Sequence, residues 1–243
     1  MRNTIGATTL SLGYAVIFGN IVLLPLWLQT QQGYTATWAG FATAPVGLLP
    51  IVIAPFLGRY MSRLDMRWWV TASLVSFGVM LLWFSGLETG VSFGEVAWGR
   101  FLQGVGLAFF FPPLLAITIA GLPQQRVAAA TGLANTVRTL AGSFATSLTT
   151  TAWDRREAHH QSQLAEHITD FDAITRATTE RLNDLGAHGG SAWALIDRTI
   201  SQQAYMLATN ELFWVWGWAF IALVALVWMA RPPFAAAAHA VAD

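Results

Sequence analysis

Three observations predict an all-α polytopic membrane protein built as a six-helix bundle. From Asn3 to Gly58 the chain carries no charged side chain. A bilayer explains such a run, because charge at its centre is costly while roughly 20 apolar residues cross it as a helix. Arg59, Arg63 and Arg67 follow at once, and such a cluster marks the side to which a helical pair returns. Only 11% of residues are charged and 55% are hydrophobic, where soluble domains carry about 25% charged residues.

The elements follow from the spacing of the charges. Span one runs from Ile5 to Leu28 and is too long for a cleavable signal. An uncharged polar turn, QTQQGYTATW, leads to span two, Trp38 to Leu57, which contains Pro45, Pro50 and Pro55. Proline is tolerated in membrane helices and kinks their axis. Span three is the charge-free stretch Trp68 to Leu87, and span four is Val96 to Ala120. Span five runs from Val127 to Trp153, and span six from Leu212 to Ala230. The sequence thus divides into spans one to five over 1–153, a periplasmic helical segment over 154–205, the sixth span over 206–234, and a cytoplasmic tail over 235–243.

Six spans place both termini on one side, with Arg2, Arg59, Arg63, Arg67, Arg126 and Arg231 there. The opposite short turns hold Glu88 and Glu95, so the positive-inside rule makes both termini cytoplasmic. Arg155 and Arg156 fall on the outer side but are bracketed by Asp154 and Glu157. Net charge is zero, which gives no pull toward nucleic acid, and the chain has no cysteine for disulfide or thiol chemistry.

Polarity sorts the helices. Span six carries Trp214, Trp216, Trp218 and Trp228 and is expected to face lipid. Spans four and five hold Gln103, Gly104, Gly106, Asn135, Thr136, Gly142, Ser143 and Ser147, residue types that allow close helix approach or line a cavity. The expectation is four and five inside, three and six outside. The segment from Asp154 to Tyr205 holds thirteen of the charges, eight of them acidic. It reads as three short amphipathic helices broken at Gly186, Gly189 and Gly190.

Two ionisable residues lie within the spans: Arg138 near the middle of span five, and Arg100 about one turn into span four. An intramembrane charge is a functional-site hypothesis that needs a partner. Glu95 and Glu211, at outer span ends, are the expected ion-pair partners of Arg100. No acid sits at the depth of Arg138, which leaves backbone carbonyls at a helix break or a carboxylate from outside this sequence. Tyr14, Asn20 and Gln103 either face a substrate path or make interhelical hydrogen bonds. His159, His160 and His167 lack a recognised ligand spacing, so no metal site is assigned. No serine elbow, HExxH or P-loop lysine is present, which excludes the usual hydrolase, metalloprotease and ATPase signatures.

The loop GRYMSRLDMR resembles the cytoplasmic motif between the second and third helices of major facilitator transporters, and RFLQGVG resembles their Arg-x-x-Gln-Gly-x-Gly pattern. The runs LLPLWLQTQQGYTATWAGFATAPVGLLPI, AGLPQQR, NTVRTLAGS, SLTTTAWDRRE, TNELFW and RPPF look like the C-terminal half of EmrB-type multidrug exporters, which are fourteen-span drug:proton antiporters. The resemblance covers Thr4 to Phe234. It implies a gating loop at Arg59, Arg63, Asp65 and Arg67, and a substrate path at Tyr14, Asn20, Gln103 and Arg138. It further implies export of hydrophobic drugs from the bacterial inner membrane, driven by the proton gradient with no bound cofactor. The implied partners are membrane lipid, an N-terminal bundle outside this sequence, a periplasmic adaptor and an outer-membrane channel. The alternative is a truncated, non-transporting remnant or scaffold lacking that bundle.

Overall fold

The computed structural model describes residues 2–60, 65–119, 122–166, 168–169 and 172–229. The elements in chain order are α1 (Arg2–Thr30), α2 (Ala36–Thr43), a 3-10 turn (Ala44–Gly47), α3 (Leu48–Tyr60), α4 (Met66–Phe84), α5 (Phe93–Ile119), α6 (Gln124–Ala165), α7 (Ala173–Asp184) and α8 (Gly190–Trp228). The all-α class is as predicted.

Local chemistry accounts for where the helices start. Thr35 caps α2, its hydroxyl accepting from the Trp38 backbone N–H at 3.3 Å. Ser92 and Glu95 form a reciprocal box before α5: the Glu95 carboxylate accepts from the Ser92 N–H at 2.7 Å, and the Ser92 hydroxyl accepts from the Glu95 N–H at 3.3 Å. In the proline-rich second span, Pro45 sits in the 3-10 turn, which divides the span into α2 and α3. α7 is set off by Gly186 and Gly189, whose φ values of 90° and 55° suit residues without a Cβ.

Four helical stretches among the described residues are long and apolar enough to cross a membrane: Ser11–Thr30, Ala36–Leu57, Met66–Phe84 and Gly190–Trp228. These answer to spans one, two, three and six. α5 packs against α4 and α1, and α6 against α1 and α8.

The outer segment differs from its expectation. Its first and third pieces are not separate short helices but extensions of α6 and α8, which run unbroken for 42 and 39 residues. At 1.5 Å per residue α6 is about 63 Å long, roughly twice the hydrocarbon thickness. No glycine or proline interrupts the stretch from Ser143 to Ala165, so nothing stops the helix at Trp153. The boundaries expected at 153 and 205 therefore fall inside continuous helices.

The core lies between α1, α4, α5 and α8. Trp27, Phe84, Phe110, Phe213 and Phe220 are fully buried there. Phe77 stacks on Phe220 with ring centroids 5.0 Å apart and meets Phe110 edge-on at 6.0 Å. α4 and α8 approach through facing glycines: a Cβ at Gly78 would lie 3.0 Å from the Gly217 carbonyl oxygen. Buried hydrogen bonds tie the layers, Ser73 Oγ donating to the Gly106 carbonyl at 2.7 Å and Trp153 Nε1 to Thr209 Oγ1 at 2.9 Å.

The inside–outside sorting holds for span four, whose Gln103, Gly104 and Gly106 are buried, and is corrected by this packing for spans three, five and six. α4 and α8 carry many of the buried residues, whereas α6 buries only Gly142, Thr149 and Trp153 among its described side chains. Asn135, Thr136, Ser143 and Ser147 are exposed. Polar content marks a helix face that avoids lipid; it does not place that helix at the centre of its own bundle. Of the span-six tryptophans, Trp214, Trp218 and Trp228 are exposed, but Trp216 packs toward α1, its ring 3.0 Å from the position of a Cβ on Gly19.

Candidate functional site

Two arginines grip α1 from different neighbours. Arg100 projects from α5 and is 3% exposed. Its Nη1 donates to Asn20 Oδ1 on α1 at 2.5 Å and to Gln103 Oε1, one turn on, at 2.6 Å. Asn20 and Gln103 are themselves 3% and 1% exposed. The spacing of Arg100 and Gln103 puts both on one helix face. Gly104 beside them lets α5 close on the 3-10 turn, since a Cβ there would lie 2.6 Å from the Val46 carbonyl oxygen. Arg100 Nε and Asn20 Nδ2 are buried without a hydrogen-bond partner among the described residues.

Arg138 reaches from α6 toward the same helix. Its Cζ lies 4.7 Å from the Tyr14 ring centroid and 5.6 Å from that of Phe111 on α5. Nη2 donates to Asn135 Oδ1 at 2.5 Å. Tyr14 in turn packs on Phe18 at 4.6 Å and edge-on against Phe111 at 5.8 Å. Arg138 is thus held by two aromatic faces and a neighbouring amide, neither of the partners expected from sequence. Phe111 carried no signal of its own, being one of three consecutive phenylalanines.

The expected acid partners of Arg100 are engaged elsewhere. Glu95 is committed to the Ser92 box, as its place in the first turn of α5 dictates. Glu211 lies on α8 beside α6, where it meets His160 Nε2 at 3.1 Å and Arg156 Nη1 at 3.5 Å. Arg156, Glu211, Asn210, Trp214 and Val215 help line a cavity of about 580 Å³ at that end of the bundle. A neutral-amide cradle replaces the predicted ion pair, because α1 and not α6 or α8 covers the Arg100 side chain.

Of the loop between α3 and α4, Arg59 is exposed in the last turn of α3, where a cation complements the helix end. Asp65 caps α4, its Oδ1 accepting from the Arg67 backbone N–H at 3.0 Å. The Arg67 guanidinium lies 5.8 Å from the Trp228 ring centroid. Arg63 falls outside the described residues, as does His167. No group of His and acidic side chains that could hold a metal occurs among the described residues.

On the extension of α6, burial and then the nearby Asp154 and Asp197 push the Glu157 carboxyl above the usual carboxylate range. The fold therefore holds this proton more tightly than the unfolded chain does. The resulting stability is complete below the ordinary carboxylate pKa and is lost as pH rises through the raised one. Glu157→Gln is expected to raise the thermal midpoint near pH 7 and leave it unchanged near pH 4. Equal midpoint shifts at the two pH values would show that the carboxyl is not the cause.

Long apolar helices enclosing paired arginines and their polar cradle define an integral membrane protein of the polytopic helical class. The chain belongs to the Major Facilitator Superfamily, whose family model matches residues 2–146. This is a family of transporters and not of enzymes. The chain is 46% identical over 234 residues to the multidrug export protein EmrB of Escherichia coli K12, covering 96% of this chain and 46% of that protein. It is 42% identical to the fatty acid resistance protein FarB of Neisseria gonorrhoeae (95% and 46% covered) and 39% identical to EmrB of Haemophilus influenzae (95% and 46%). The chain spans about half the length of these relatives.

Proposed function

We propose that this chain is the C-terminal bundle of an EmrB-type antiporter that exports hydrophobic compounds in exchange for protons. The observation carrying this reading is the convergence of Arg100 with Gln103 from α5 and of Arg138 from α6 on Asn20 and Tyr14 of α1. Polar and ionisable groups are retained in a membrane interior where they line a path or hold a gate. The names of the relatives, multidrug export and fatty acid resistance, support the same class of cargo.

In this reading the chain crosses the inner membrane six times with both termini cytoplasmic. The exposed polar face of α6 lines the path shared with a first bundle. Arg59, Arg63, Asp65 and Arg67 hold one gate conformation on the cytoplasmic side. The 154–205 extensions stand on the periplasmic side, where an adaptor leading to an outer-membrane channel docks. Alternating access follows from rocking of the two bundles, driven by proton entry.

Inverted membrane vesicles test this directly. With this chain and its first bundle present, a hydrophobic dye accumulates when the vesicle interior is acid, and a protonophore collapses the accumulation. Vesicles whose dye content ignores the proton gradient would overturn the reading in favour of a non-transporting scaffold.

A further inference from the structure

At the end of the bundle where α2 and α5 begin and α4 stops, exposed tryptophans gather. Trp38, Trp83, Trp98 and Trp214 are each at least 44% exposed, and tryptophan concentrates where membrane meets water. Trp38 meets Phe93 at 5.6 Å, which joins the starts of α2 and α5. Asn210 Nδ2 donates to the Leu87 carbonyl at 2.9 Å, which sets α8 at the same level.

The cavity of about 580 Å³ lies at this boundary and has walls of unlike chemistry. Arg156, Glu211 and Ser85 make its polar side, and Ala152, Trp214 and Val215 its apolar side. Glu211, Trp214, Val215 and Trp218 recur at helical spacing on one outward face of α8. The cavity therefore opens toward lipid, with the end of α4 on one flank and α6 on the other.

Its two charges hold each other loosely. Arg156 Nη1 stands 3.5 Å from Glu211 Oε2, longer than a hydrogen bond, and the side chains are 57% and 41% exposed. The other carboxylate oxygen meets His160 Nε2 at 3.1 Å. Such an open pair contributes little, so a ligand carrying both signs enters it at small cost. The guanidinium keeps its fork for an oxyanion, and the carboxylate keeps lone pairs for an N–H donor. A phosphate and a primary ammonium above an apolar body answer all of these groups. A quaternary ammonium has no N–H to give and is held by a cage of aromatic rings, of which this cavity supplies Trp214. A purely anionic headgroup would leave Glu211 facing like charge.

We propose that this cavity binds an aminophospholipid, its phosphate on Arg156, its ammonium on Glu211 and its acyl chains over Trp214 and Val215. The lipid thereby bridges α6 and α8 where they leave the bilayer. The proposal rests on the transport reading for the side of the membrane alone, which that reading makes the periplasmic leaflet.

Native mass spectrometry of the complete transporter, this chain with its first bundle, resolves bound lipids by headgroup mass. Phosphatidylethanolamine, phosphatidylcholine and phosphatidylglycerol with identical chains are titrated in competition. Phosphatidylethanolamine is expected to lead each of the others by about fivefold at the first site filled. Glu211→Gln should erase the lead over phosphatidylcholine, and Arg156→Gln should weaken both zwitterionic lipids alike. Glu180→Gln, which removes an exposed acid on α7, should change neither. Each reading is a ratio within one sample, so partial unfolding of a variant does not imitate it.

A wild-type ratio near one overturns the proposal, as does a lead that survives Glu211→Gln or lipid binding untouched by Arg156→Gln. Phosphatidylglycerol binding as tightly as phosphatidylethanolamine overturns it too, since the cavity is then an anion site. Glycerophosphoethanolamine, the headgroup without chains, should not displace the lipid at equal concentration; displacement would mean that the apolar wall takes no part and that the ligand is not a lipid. No proton gradient enters these measurements, so failure of dye transport in vesicles sinks the transport reading and leaves the lipid site to be decided on its own.

Discussion

Asn20→Leu is expected to destabilise the bundle by about 1.5–3 kcal/mol, the range for a hydrogen bond to a charged group. Asn20 Oδ1 accepts from Arg100 Nη1 at 2.5 Å, and the guanidinium is 3% exposed. Leucine keeps the branched shape but removes the acceptor, leaving Gln103 as the hydrogen-bond partner of the guanidinium among the described residues. Water cannot readily take its place, because Gln103 and Asn20 are themselves buried. Adding Arg100→Leu to Asn20→Leu should recover much of the loss, since replacing both members of a buried polar pair by apolar groups is far milder than removing one. Reversible unfolding in mixed micelles reads both variants. A cost below about 1 kcal/mol for the single variant, no more than an ordinary hydrogen bond, would mean that Asn20 does not support the buried charge.

Gly104→Ala is the second large effect. The added Cβ would lie 2.6 Å from the Val46 carbonyl oxygen, 3.1 Å from Leu49 Cβ and 3.2 Å from Pro50 Cδ. The nearest of these is backbone, so no side-chain rotation relieves the clash, and α5 must move away from the 3-10 turn. Overpacking of this kind costs about 1–3 kcal/mol. Gly132 on α6 provides the control: nothing lies within 4 Å of its added Cβ. Alanine there should stabilise the helix by about 0.5–1 kcal/mol. If the two substitutions shift the unfolding midpoint alike in this chain, the close approach at Gly104 does not hold.

Particular residues show how far the sequence could be read. The uncharged run from Asn3 to Gly58 placed the first two apolar helices, because exclusion of charge is a property of composition alone. The three prolines of span two announced an irregular axis, and the 3-10 turn at Ala44–Gly47 is that irregularity. Arg100 and Arg138 stood out as charges among apolar neighbours. Their partners did not. The nearest acids along the chain, Glu95 and Glu211, were the reasonable candidates for Arg100, but proximity in depth says nothing about which helix faces which. Glu95 was already spent on a cap whose Ser-x-x-Glu spacing was visible in the sequence.

α6 shows the same limit. Its polar residues were read as a sign of an interior helix, yet within this chain they lie on its exposed face. Likewise, the charged stretch after Trp153 suggested a change of structure, whereas the helix continues to Ala165. Helix continuation depends on local backbone chemistry, and charge does not break a helix that has left the bilayer.

By itself, then, the sequence determined the solvent of this protein, the position of its apolar helices and the two cations that cannot be ignored. Those follow from transfer free energies summed along the chain, which need no knowledge of neighbours. Only the tertiary structure decided that Arg100 rests on amides, that Arg138 lies against Tyr14 and Phe111, and that Glu211 turns to Arg156 and His160. Each of those is a contact between helices distant in sequence, set by which faces pack and how closely glycines let them come.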